Sequence, residues 1–154
     1  MTKLKVGDQA PDWEAQDSHG KTVGLKQFEG KILVFYFYPK DGSSVCTAQA
    51  CELRDKYEQF IKAGAEVVGV SSDDAESHLE FTSKYKLPFT LLTDEKGKLA
   101  KTYGVGKELL FLPGRTTFII DKHQKIAHIY SSLLNASKHV SESLEMIEKL
   151  KNEN

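Results

Sequence analysis

The stretch Ile32-Leu-Val-Phe-Tyr-Phe-Tyr38 constrains the fold of this chain more than any other. It is seven residues long, apolar, and rich in β-branched and aromatic side chains. A helix or a half-exposed strand would interleave polar residues, so the run predicts a strand covered on both faces, as in the parallel part of a sheet lying between helices. A bilayer span needs about 20 such residues, so the run is too short to cross a membrane. Pro39 ends the strand, and Lys40-Asp-Gly-Ser-Ser44 reads as a loop.

The flanking segments build on that strand. Asp12–Gln16 and Thr22–Leu25, separated by Asp17-Ser-His-Gly20, predict an N-terminal β-hairpin. From Ser44 to Ala63 the apolar residues Leu53, Tyr57, Phe60 and Ile61 recur at helical steps, and Gly64 closes the helix. Glu66–Ser71 reads as a second strand, completing a βαβ unit whose strands are parallel. A helix over Asp74–Tyr85 carries Leu79, Phe81 and Tyr85. A short strand, Phe89–Leu92, and a short helix, Lys98–Tyr103, follow. Thr116–Ile120 and Lys125–Tyr130 form a second hairpin, and Ala136–Lys151 is the last helix, with Val140, Leu144, Ile147 and Leu150 along one face. The expected fold is α/β, thioredoxin-like, with an N-terminal β-hairpin extension and a central mixed sheet flanked by helices. No linker, repeat or low-complexity tract interrupts it, so residues 1–154 are expected to form a single domain.

Twenty-one basic and 22 acidic side chains leave a net charge of −1, which argues against nucleic-acid binding or a polybasic membrane anchor. The start, Met1-Thr-Lys-Leu-Lys-Val-Gly7, has neither the apolar stretch of a signal peptide nor the Arg/Ser-rich character of a transit peptide, so a cytoplasmic protein is expected. The five histidines are scattered, and no metal site is expected. Gly104-Val-Gly106 lacks the third glycine of a dinucleotide fingerprint. Asp73-Asp74-Ala-Glu76 reads as the solvated acidic first turn of a helix, and Trp13 as a core residue.

Two cysteines are too few for a disulfide-rich scaffold and for a thiolate zinc site. Cys46 falls on the first turn of the helix after the buried strand. Unpaired backbone N–H groups and the helix macrodipole both favour an anionic sulfur there, and the thiolate is the nucleophilic form. A buried, inert cysteine is the alternative at that position. Cys51 lies five residues on in the same helix. Ideal helical geometry separates the two Cα atoms by about 8–9 Å and about 140° around the axis. A disulfide needs about 4.4–6.8 Å, so the pair can bond only if the first turns unwind. A reactive thiolate near a second thiol suits reversible peroxide chemistry, in which a sulfenic acid condenses with that thiol. No C-x-x-C motif is present.

Pro39-x-x-x-Ser43-x-x-Cys46 resembles the Pro-x-x-x-Thr/Ser-x-x-Cys motif of the peroxiredoxins, and Cys51 resembles the resolving cysteine of their bacterioferritin-comigratory, or Q-type, subfamily. The likeness runs through Val6–Asp12, Tyr36–Asp41, Ala50–Asp55, Val70–Asp73, Leu87–Leu92, Tyr103–Val105 and Pro113–Asp121. The chain departs from the subfamily's usual Thr-Pro-Gly-Cys-Thr in reading Ser43-Ser-Val-Cys-Thr47. Val45 adds a branched side chain beside the nucleophile, and Ser44 loosens the loop.

The resemblance implies a thiol-dependent peroxidase acting on hydrogen peroxide and organic hydroperoxides. Cys46 is then the peroxidatic residue and Cys51 the resolving one. Arg115 holds thiolate and peroxide together, Ser43 hydrogen-bonds one of them, and Pro39 shields the pocket. Without the resemblance, Arg115 reads as a surface residue, Ser43 as a helix cap and Pro39 as a strand terminator. Sulfur carries the redox change, so no cofactor is implied; the reductant is thioredoxin or a similar dithiol protein, and the protein is a monomer. The rival functions are a thiol–disulfide oxidoreductase on the same fold and a binding or chaperone-like module with inert cysteines.

Overall fold

The computed structural model describes residues 4–108 and 112–152, so Met1–Lys3 of the N-terminal stretch lie outside the described residues. A hairpin of β1 (Glu14–Asp17) and β2 (Thr22–Gly24) comes first. Then follow β3 (Ile32–Phe37), α1 (Ser44–Lys62), β4 (Ala65–Ser71) and α2 (Ala75–Tyr85). They are succeeded by β5 (Thr90–Thr93) and α3 (Lys98–Thr102). A small pair, β6 (Lys107–Glu108) and β7 (Leu112–Pro113), precedes β8 (Thr116–Ile120), β9 (Ile126–Ser131) and α4 (Ala136–Lys151).

Seven strands form one mixed sheet in the order β2-β1-β5-β4-β3-β8-β9. The central strands β3, β4 and β5 are parallel, with Val34 opposite Val67 and Val68 opposite Thr90. β8 runs antiparallel beside β3, and β1 antiparallel beside β5. Every residue of β3 is buried because helices or aromatic side chains cover both of its faces. Val34 and Tyr36 point into a cluster with Cys46, Leu53 and Phe60 of α1, Phe81 of α2, and Val140 and Ile147 of α4. Leu33, Phe35 and Phe37 point the other way, into a cluster with Trp13, Leu99, Tyr103 and Phe118. The period-two alternation of strand side chains thus divides one apolar run between two cores.

Gly69 of β4 lies opposite Tyr36. A Cβ there would stand 2.8 Å from Tyr36 Cζ and 2.8 Å from Leu91 Cδ2, so only glycine lets the Tyr36 ring lie across the neighbouring strand.

The expected elements are present, with local differences. Leu25 begins a 3-10 turn, Leu25–Phe28, rather than extending β2. The short β6–β7 pair has no counterpart in the sequence reading. Ile61 and Leu79, assigned to apolar faces, are exposed. One helical position turns a residue by about 100°: Phe60, not Ile61, faces the core, and on α2 the inward positions belong to His78 and Phe81. The segment Asp73–Glu76 opens α2 with Asp74 and Glu76 exposed, as expected of an acidic helix start, and only Asp73 is half-buried. Asp73 Oδ2 accepts from Asp41 N at 2.7 Å and from Ser71 Oγ at 2.7 Å. Asp74 caps α2 by accepting from Ser77 N. No helix among the described residues is long and apolar enough to cross a membrane.

Candidate active site

Cys46 occupies the third position of α1 and is 1% exposed. The helix begins there because Pro39 ends the strand and Gly42, at φ +81, takes the left-handed conformation needed for the chain to turn back. Ser43 stands at the N-cap with extended backbone, and its carbonyl accepts from Thr47 N at 2.8 Å. No side chain caps the helix, and no acidic residue lies in its first turn. The open N–H groups of that turn, and the positive end of the dipole, therefore have no carboxylate in the turn competing with the Cys46 sulfur.

Arg115, on the approach to β8, reaches the same point from the other side. Its Nη2 donates to Cys46 Sγ at 3.1 Å, its Nη1 to Gln49 Oε1 at 2.6 Å, and its Nε to the Leu133 carbonyl at 2.8 Å. The residue is 3% exposed. Gln49 and Leu133 O are neutral, and among the described residues no carboxylate lies within ion-pair distance of the guanidinium. A buried, permanently charged group requires a compensating partner. Of the three described groups to which Arg115 donates, the Cys46 sulfur is the one that can ionise.

A second layer steadies Arg115. The Leu133 carbonyl belongs to the loop between β9 and α4, and Ser132 N donates to Arg115 O at 3.1 Å. His139 of α4 fixes that loop: its Nε2–H donates to Ser132 O at 2.8 Å, and the Thr117 hydroxyl donates to its Nδ1 at 2.8 Å. Burial lowers the His139 pKa to about 4; the Ser132 carbonyl opposes this shift and the Arg115 charge adds to it. The ring is therefore neutral at pH 7, in the tautomer those two bonds require. Below Cys46, burial holds the Tyr36 and Tyr38 phenols well above their ordinary range, so both stay protonated. Tyr36 OH and Thr47 Oγ1 are buried and have no hydrogen-bond partner among the described residues.

Cys51 is half-buried on the same helix, and both cysteines are free. Pro39 is half-buried immediately beyond Tyr38. The Ser43 hydroxyl donates to the Lys40 carbonyl at 3.2 Å and to no group of the site. The structure thus brings Cys46 and Arg115 into contact, while Cys51 remains on an intact helix. Gln49 was missed in the sequence: it follows Cys46 by three residues, the interval that places two side chains on one helix face. A polar residue at that inward position was the available signal. His139 offered none beyond its place on the apolar face of the last helix. Among the described residues, no group of three His, Cys, Asp or Glu side chains is placed to hold a metal ion.

Residues 6–129 match the AhpC/TSA family. The chain is 48% identical over 149 residues to a chloroplastic peroxiredoxin Q of Oryza sativa subsp. japonica, covering 96% of this chain and 69% of that protein. It is 47% identical over 152 residues to a chloroplastic peroxiredoxin Q of Sedum lineare, covering 98% and 82%. Its fold is similar to the crystal structure of peroxidoxin BcpB from Mycobacterium tuberculosis, with a TM-score of 0.89 and 30% identity over 96% of this chain and 98% of that one. The expectation of a cytoplasmic protein is overturned by these plant relatives, which are named as chloroplastic.

Proposed function

Because this chain belongs to the AhpC/TSA family and is a thiol-dependent peroxidase of the peroxiredoxin Q type, we propose that Cys46 is its nucleophile and Cys51 its resolving thiol, with Arg115 between sulfur and peroxide. The observation that carries this reading is the 3.1 Å contact from a buried guanidinium to Cys46 Sγ. Nitrogen donors fixed at the reacting atom need no reorganisation as charge moves from sulfur to the departing oxygen. The thiolate attacks the terminal oxygen of the peroxide, the O–O bond breaks, and the second oxygen leaves as alkoxide or hydroxide and takes up a proton. Cys46 becomes a sulfenic acid. Ser43, once its hydroxyl turns from Lys40 O, bonds the bound peroxide, and Pro39 limits water at the loop.

The first turns of α1 then unwind, and the Cys51 sulfur attacks the sulfenic sulfur. An S–S bond forms, the S–O bond breaks, and water leaves. An external dithiol protein of the thioredoxin type reduces the disulfide and is itself oxidised to one. Both thiols lie on one helix, so a single chain completes the cycle. In this reading residues 1–154 act as one monomeric domain on hydrogen peroxide and organic hydroperoxides. The relatives' names support a plastid setting.

Cysteine replacement tests the assignment. Cys46→Ser removes peroxide consumption. Cys51→Ser keeps the first oxidation but slows recycling by thioredoxin. Undiminished turnover in the first variant overturns the role of Cys46, and normal recycling in the second overturns that of Cys51.

A further inference from the structure

A buried polar cluster beside the active-site loop takes no part in the chemistry above. His78 of α2 is fully buried, with both ring nitrogens engaged. Its Nε2 lies 3.0 Å from the Leu92 carbonyl of β5, and its Nδ1 lies 2.6 Å from Asp41 Oδ2. A carbonyl can only accept, so Nε2 carries a hydrogen. The short contact on the other side then requires one proton between Nδ1 and Oδ2, whichever atom holds it. Asp41 is held from other directions as well. Tyr38 OH donates to its Oδ1 at 2.6 Å, Ser77 Oγ to its Oδ2 at 2.9 Å, and its own N–H bonds to Asp73 Oδ2 at 2.7 Å. Position 41 is thereby tied to the end of β3, to α2, to β5 through His78, and to the loop after β4.

The chain is held much less firmly immediately beyond. Gly42 is exposed at φ +81, and among the described residues the Ser43 side chain makes one bond, to the Lys40 carbonyl three positions back, and does not cap α1. Firm anchorage therefore ends at Asp41, five residues before Cys46. The unwinding that a Cys46–Cys51 disulfide requires has a natural starting point at Gly42.

We infer that His78 is a positioning residue of the peroxidase cycle: through Asp41 it clamps the loop before α1, so that Cys46 rests against Arg115 and the helix unwinds from a fixed point at Gly42. The inference depends on the roles proposed above for Cys46 and Cys51. Loss of the clamp lets the loop leave its reactive position, and the rate of oxidation falls with the fraction of molecules that remain competent. Disulfide formation needs the unwound form and is not slowed.

Rapid-quench mixing of reduced protein with one equivalent of hydrogen peroxide, followed by alkylation and intact-mass analysis, separates the two steps. For His78→Leu the expected result is about tenfold slower sulfenic acid formation with disulfide formation at least as fast as in the unaltered protein. His78→Asn, which retains a donor near the Nδ1 position, restores most of the ratio between the two rates. A general loss of stability would not be repaired in that way. If His78→Leu does not fold, Asp41→Asn is read instead and is expected to shift the ratio in the same direction. A ratio within twofold of the unaltered protein in the folded Leu variant, or in Asp41→Asn where that variant is the one read, overturns the clamp, as does an Asn variant no better than Leu. Absence of both steps in the unaltered protein would instead refute the cysteine roles.

Discussion

Arg115 donates to Cys46 Sγ from a site closed to solvent, with Gln49 and the Leu133 carbonyl occupying its other described hydrogen bonds. The guanidinium is thus oriented before any peroxide arrives, and orientation in advance is what makes such a donor effective. Replacing Arg115 by Met is expected to slow oxidation of Cys46 by about 10²–10³-fold, the range for loss of one preorganised donor at a reacting centre. Lys in its place keeps the charge but not the planar fork, and should recover only part of the rate. The second-order rate constant with hydrogen peroxide checks both; an unchanged constant in the Met variant contradicts the role.

Gln49 offers a sharper test of the same contact. Its amide oxygen holds Arg115 at 2.6 Å without a charge of its own. Gln49→Glu would place a carboxylate where that amide lies, and the guanidinium would pair with it rather than with sulfur. Peroxide reactivity should fall by at least tenfold in the Glu variant and by less in Gln49→Met, which leaves Arg115 no competing anion. Equal rates in the two variants contradict the competition.

His139 predicts a pH dependence of stability. Burial lowers its pKa from 6.5 to about 4 in the folded chain. Above pH 6.5 the ring is neutral both folded and unfolded, and nothing is lost. As pH falls below 6.5 the unfolded chain takes up the proton first, so stability declines until about pH 4, where the folded ring is protonated as well. The full loss from this group is on the order of 3 kcal/mol. Thermal unfolding from pH 7.5 to 4.5 should show a steeper decline in the unaltered protein than in His139→Gln. Equal slopes would contradict the assignment.

Gly69→Ala tests the packing beneath the site. Its Cβ would meet Tyr36 Cζ and Leu91 Cδ2 at 2.8 Å each, on a central strand where both of those side chains are buried. Overpacking of this kind costs about 1–3 kcal/mol. A chemical denaturation midpoint unchanged from the parent would contradict the close approach.

The sequence carried the scaffold because its signals were periodic. The run Ile32–Tyr38 announced a doubly covered strand, and the spacing from Val140 to Leu150 announced the last helix. Cys46 was legible from its place at a helix start, and Cys51 from its offset. Arg115 was legible only through family resemblance, since an arginine beside a turn is ordinarily exposed. Gln49, His78, His139 and Asp41 were not legible. Each is a polar residue at an inward position, and hydropathy patterns assign such residues to solvent. The side-chain pairs Asp41–His78, Gln49–Arg115 and Thr117–His139 join residues 37, 66 and 22 positions apart, so only the assembled fold brings them together. Ile61 and Leu79 show the converse error, apolar residues one helical step off the buried stripe.

Trp13 stacks on Phe35 in the core on the sheet face away from Cys46, so its fluorescence is a distant reporter of the chemistry. The most direct test therefore counts thiols and helix together. Reduced protein is treated with one equivalent of hydrogen peroxide, quenched with an alkylating reagent over a time series, and weighed, while far-ultraviolet circular dichroism is followed in parallel. The account predicts rapid loss of both thiols to one intramolecular Cys46–Cys51 disulfide, a fall in helical signal as the first turns of α1 unwind, and recovery of that signal on reduction. Oxidation at the rate of an ordinary free cysteine, or a disulfide formed with no change in helix, would contradict it.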